Sequence, residues 1–150
     1  MTLNPGRNPA PATLVTPGRW RCSQRPGDNP KDYDAVMASK ALLRTWSDSV
    51  WPEDDFGLQQ NALDLAGHID DFEHDLAYGF SIFTPDESRL IGSLYLDPVA
   101  PFMDDYAVDE ATAARLSGFD VRLEYWLRRG TGRAFEETFV WSVLAWLKDA

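Results

Sequence analysis

The sequence predicts an α/β (α+β) fold in which a mostly antiparallel sheet is flanked by helices. Three observations lead there. Apolar residues first recur at helical spacing over 32–47 and 58–76. Three strand-like runs follow between 78 and 127, the first two joined by a short turn. A helical pattern then returns from Ala134 to Lys148, behind a glycine turn.

At 150 residues, 44% of them hydrophobic, the chain can bury one core, and six Trp with eight Phe are too many for a disordered chain. A single domain is expected over 19–150. Residues 1–18 hold Pro5, Pro9, Pro11 and Pro17 and read as a flexible arm.

The elements follow in order. Trp20 to Arg25 reads as a short strand, and Pro26, Gly27, Asp28 and Pro30 turn the chain into a first helix from near Asp32 to about Ser47. A second helix is expected after Trp51 and Pro52, because Glu53, Asp54 and Asp55 would sit on the unpaired amides of a helix start. Its apolar positions Leu58, Ala62, Leu65, Ile69, Phe72 and Leu76 alternate steps of four and three. Tyr78 to Thr84 and Arg89 to Asp97 form a hairpin about Pro85 to Ser88. An acidic connection from Pro98 to Gly118 carries a short helix near 109–116. In the last strand Phe119, Val121, Leu123, Tyr125 and Leu127 alternate with polar residues, so one side is buried. Trp126 falls on the polar side, where it lines a groove or meets a helix. The remaining tryptophans are assigned to the core.

Fourteen basic against 24 acidic residues give a net charge of −10, which argues against nucleic acid and anionic membrane surfaces as partners. No apolar stretch approaches the ~20 residues of a membrane span, no secretory signal opens the chain, and Cys22 has no partner for a disulfide. A cytoplasmic location is the expectation. The charge is also uneven: residues 32–118 hold four basic and 18 acidic groups, whereas 119–150 hold five of each, with three arginines clustered at Arg128, Arg129 and Arg133.

Those arginines flank Gly130 and Gly132 between a strand and a helix. Glycines let backbone approach an anion, the first amides of a helix lack partners, and guanidinium groups add charge-assisted bonds. The same residues also suit a tight connection whose arginines are solvated or paired to Glu136, Glu137 and nearby aspartates. Both readings stand on the residues alone.

The turn is spelled Arg129-Gly130-Thr131-Gly132-Arg133-Ala134, or R-x-x-G-x-A. It resembles the acyl-CoA diphosphate loop, Q/R-x-x-G-x-G/A, of the GNAT superfamily of N-acetyltransferases. Leu90 to Leu96, LIGSLYL, is similar to that family's third strand, and the stretch from Asp32 to Phe56 to its first helix and following loop. The resemblance runs from about Trp20 to Ala150. It implies a mixed sheet with helices on both sides, acetyl-CoA as co-substrate, and direct attack by a small-molecule or peptide amine. Leu127 and Arg128 would then run beside the pantetheine arm, the amides of Gly130, Thr131, Gly132, Arg133 and Ala134 would cradle the diphosphate, and Arg129 and Arg133 would add charge. Glu124, on the polar face of the strand, is the candidate base; paired with Arg122 or Arg128 it would instead be structural. The chain reaches Ala150 just after this helix, so the expected domain lacks the family's C-terminal strands and helix. That leaves two rivals: a GNAT-like regulatory or interaction module without catalysis, or a partner-binding chain with an exposed tryptophan patch. An open sheet edge would also favour a homodimer.

No metal is expected. His68 and His74 are six residues apart on a helix, point in different directions, and sit among Asp64, Asp70, Asp71, Glu73 and Asp75, which read as a solvated acidic face. Asp104, Asp105, Asp109 and Glu110 read as a charged surface loop, and Cys22 as a small apolar filler.

Overall fold

The computed structural model describes residues 19–22 and 24–149. The arm expected over 1–18 lies outside them, as do the side chains of Trp20 and Cys22. The first strand, β1, is Arg19–Cys22, and a 3-10 turn at Pro26–Asp28 leads into the helices. The single first helix expected to reach Ser47 is two, α1 at Asn29–Ala38 and α2 at Lys40–Trp46. They part at Ser39, whose buried hydroxyl accepts the amide of Arg129 at 3.2 Å, a partner 90 residues away that local periodicity cannot register.

The next helix, α3, is Leu58–Glu73, so the acidic trio before it does not open the helix. Asp54 takes Lys40 at 3.1 Å and Arg44 at 2.9 Å instead, tying the loop back to α2. Nor does α3 reach Leu76, which lies exposed beyond Asp75 at φ 58°. Strands β2 (Tyr78–Phe83) and β3 (Leu90–Pro98) form the expected hairpin. The acidic connection contains α5, Glu110–Leu116, as anticipated, with Asp109 capping it by accepting the Thr112 amide. It also contains α4, Val99–Asp105, which the sequence did not announce. Strand β4 is Val121–Leu127 and α6 is Arg133–Asp149.

The strands lie in the order β1-β2-β3-β4 and every pair is antiparallel; the mixed sheet expected shows no parallel pair among the described residues. One face, with Tyr78, Phe80, Leu94 and Leu96, packs on Phe139 and Val143 of α6. The other presents Phe83, Leu90 and Trp126 to Ala35, Val36 and Leu43 of α1 and α2. Trp126 is thus buried on the side that alternation marked as polar, because a helix layer covers that face too. Helices flank both sides. Two tryptophans do not fill core as expected: Trp46 is 39% exposed and Trp141 72%.

Gly92 shows how closely β3 and β4 approach. It pairs with Leu127, and a Cβ there would run into the carbonyl oxygen of Trp126, so only glycine fits. Beside it Ile82 faces Gly92 and Phe83 faces Leu90, leaving Ile91 as an extra residue in β3. The carbonyl of Ile91 accepts the amide of Arg128 at 2.7 Å, which carries the chain from β4 into the glycine turn.

Candidate functional site

The end of β4 and the start of α6 bring the predicted turn to one corner of the sheet. Gly130 adopts φ +90°, a conformation costly for any side chain, so the backbone itself accounts for this glycine. Gly132 is different. Its φ is ordinary and a Cβ there would meet nothing within 4 Å, so neither conformation nor packing explains why it has no side chain.

Among the turn's amides, three are engaged. Arg128 donates to Ile91, Arg129 to the Ser39 hydroxyl, and Thr131 to the carbonyl of Arg128 at 3.0 Å. Thr131 therefore does not offer its amide to a ligand, contrary to expectation, because a tight turn closes on it. The amides of Gly130, Gly132, Arg133 and Ala134 have no partner among the described residues, the last three because they open α6. The side chains divide similarly. Arg128, only 10% exposed, folds back to Asp34 of α1 at 2.6 Å and leaves its Nε buried without a partner. Arg133 pairs along the helix with Glu137 at 2.8 Å, and Glu136 accepts the hydroxyl of Tyr125 at 3.0 Å. Arg129 remains exposed, with no ion pair among the described residues. Part of the paired-arginine reading is therefore correct, and the free charge narrows to Arg129.

Two clefts meet at this corner. One, of about 400 Å³, is lined by Leu42, Trp46, Trp126, Arg129, Gly130 and Thr131. The other, of about 480 Å³, runs between α3 and the sheet, where Trp46, Trp51, Tyr95 and Trp126 form aromatic walls beside Asp64, His68, Asp71, Asp97 and Glu124. Trp46 and Trp126 line both, so the two spaces adjoin. The outer edge of β4 has no strand partner among the described residues.

Glu124 does face the second cleft. Its Oε1 accepts from Arg122 Nη1 at 2.7 Å, and the same guanidinium reaches Asp97 at 2.9 Å while lying over the ring of Phe102. The carboxylate is thus held by an ion pair, one of the alternatives open from the residues, and is still accessible. Pairing fixes its position across β3 and β4.

Most of the second cleft's lining residues were missed, Tyr95 and His68 among them. Tyr95 stacks obliquely on His68, ring centroids 5.1 Å apart, and its hydroxyl is pushed up to about 12, first by burial and then by the charge of Asp32. His68 was read as part of a solvated acidic face. Burial instead lowers its pKa against the raising influence of Asp71, Asp64 and Asp97, which favours the neutral ring. A signal was present: Asp64, His68 and Asp71 fall at i, i+4 and i+7, one strip bordering the apolar stripe of α3. His74, by contrast, caps the end of α3 in solvent, bonded to the Asp70 carbonyl at 2.8 Å. No described helix is long and apolar enough to cross a membrane.

No family model matches the chain, and no curated protein matches it in sequence. Solved structures do match in fold. The ribosomal L7/L12 alpha-N-protein acetyltransferase RimL, in complex with coenzyme A, superposes with a TM-score of 0.63 at 16% identity over 89% of this chain and 65% of its own. Its apo form gives 0.61 at 16% identity, with 89% and 62% covered. The ribosomal-protein-S5-alanine acetyltransferase of Vibrio fischeri gives 0.59 at 15%, with 90% and 66% covered. The chain has the GNAT fold that its sequence resembles, and it spans a little under two thirds of the length of RimL.

Proposed function

We propose that this chain is an acyl-CoA-dependent N-acetyltransferase that takes acetyl-CoA as co-substrate and passes the acetyl group to an amine by direct attack. Gly132 carries the reading: a glycine that neither backbone nor packing requires, at a helix start whose amides are free and beside an exposed arginine. A diphosphate would fill that space. Helix-start amides and the Arg129 guanidinium would neutralise it, with the backbone of Leu127 and Arg128 alongside the pantetheine arm. The fold likeness to an acetyltransferase solved with coenzyme A supports an acyl-CoA as the co-substrate.

The thioester would then lie where the clefts join, between Trp46 and Trp126, with the amine in the second cleft. Glu124 is the proposed carboxylate at that junction, held by Arg122 so that it faces the incoming ammonium. The neighbours named above are acetyltransferases of ribosomal proteins, which supports a peptide amine as one acceptor class; the dimensions of the second cleft support a small amine equally.

The test is thermal shift with acetyl-CoA. At 100 times Kd a ligand adds ~2.7 kcal/mol, or roughly 5–10 °C for a chain of this size. Gly132→Glu puts bulk and negative charge into open space, so it should fold normally and abolish the shift. No shift with wild type at millimolar acetyl-CoA would overturn the proposal. A second reading, a non-catalytic interaction module, draws on Trp141 and Leu144, both exposed and three residues apart on α6.

A further inference from the structure

Within the second cleft the imidazole of His68 is flanked along α3 by Asp64 and Asp71, four residues before it and three after, on one strip about 10 Å long. Across from it stand Tyr95 and Asp97 on β3 and Glu124 on β4. Asp64 is fixed by the indole N–H of Trp51 at 3.2 Å, and Asp97 and Glu124 share Arg122. No hydrogen bond engages either nitrogen of His68 among the described residues. The cleft therefore presents four carboxylates against one guanidinium, aromatic walls, and one unengaged base.

We propose that this cleft is the amine subsite for a small aromatic or aliphatic primary ammonium, and that His68 is the base that takes its proton. This rests on the transferase reading above. Carboxylates and indole faces favour an ammonium with an apolar body. An ammonium has no lone pair and must lose one proton before it can attack. His68 accepts that proton on a ring nitrogen and becomes imidazolium between Asp64, Asp71 and Asp97. The neutral amine nitrogen forms a bond to the thioester carbonyl carbon, the carbon–sulfur bond breaks, and the coenzyme A thiolate leaves with the electron pair. The second proton released by the nitrogen neutralises that thiolate. Burial favours the uncharged ring that accepting a proton requires, while the three aspartates stabilise the product of that step. Glu124 then acts through charge, holding the ammonium rather than deprotonating it.

The chain has two histidines, so their ring carbon–proton signals in NMR are easily separated. Titrated on the full chain, one should have a midpoint below 6.5 and the other above it, as expected of His68 and His74. His68→Gln assigns them. Benzylamine, a primary ammonium with an aromatic ring, should move the His68 signal, lower its midpoint further, and leave His74 unchanged; Asp64→Asn with Asp71→Asn should remove the effect. A His68 signal unmoved by benzylamine overturns the subsite. With acetyl-CoA added, His68→Gln should lower kcat for benzylamine by 10²–10⁴-fold, abolish its rise with pH, and leave the acetyl-CoA thermal shift intact. Retained turnover, or none in wild type despite binding, overturns the role of His68 as base. Absence of the acetyl-CoA shift with the benzylamine response present refutes the transferase reading alone.

Discussion

Asp32 ties the stability of the domain to pH in a direction opposite to that of most carboxylates. Its side chain is 9% exposed on α1 and accepts Asn61 Nδ2 at 2.8 Å. Burial is the main influence and raises its pKa from 3.8 to about 6; the Asn61 bond opposes this, and Asp28 and Asp64 add to it. The folded value exceeds the unfolded one. The contribution of the protonated form is therefore complete below about 3.8 and lost as pH rises through about 6. A difference of ~2 units, at 1.36 kcal/mol each, is about 3 kcal/mol by pH 7.5. Asp32→Asn keeps the acceptor for Asn61 and removes the charge. Urea unfolding followed by tryptophan fluorescence should find variant and wild type within ~0.5 kcal/mol at pH 4, with the variant about 3 kcal/mol more stable at pH 7.5. Parallel stability curves across that range would refute the argument, because every other titrating group is common to both proteins.

Other perturbations test the packing around the glycine turn. Gly92→Ala forces a methyl group into the Trp126 carbonyl and should cost about 3 kcal/mol, lowering Tm by roughly 6–12 °C; an unchanged Tm would mean that β3 and β4 are not in this close contact. Arg128→Met and Asp34→Asn, singly and together in a double-mutant cycle, should give a coupling of about 1 kcal/mol, since one partner is nearly buried and the other exposed; zero coupling would remove this pair from the bonds that hold the turn to α1.

Where a pattern was local, it could be read from the residues. The hairpin of β2 and β3, the strand β4 and the final helix each depend on neighbours within a few positions, and the glycine turn fell between β4 and α6 as expected. The burial of β4 did not alternate, because helices cover both faces of the sheet and Phe119 lies exposed before the strand. Boundaries failed where a distant group competed. Glu53, Asp54 and Asp55 looked like a helix start, yet Asp54 binds two cations of α2; the helix expected to continue through Ser39 breaks there beside the Arg129 amide. Tryptophan placement failed for the same reason, since hydrophobicity alone does not say which side of a helix has a neighbour.

By itself the sequence determined the antiparallel hairpin, the last strand and the glycine turn that joins it to the final helix, because backbone conformation is set by near neighbours. Only the tertiary structure decided which charges stay free and which residues share a space. It turned Arg128 away to Asp34, tied Glu124 to Arg122, and brought His68, on a helix face that looked solvated, against Tyr95, 27 residues later, in the wall of a cleft. Charge pairing and cleft formation are contacts between elements, and they exist only once the sheet has been covered.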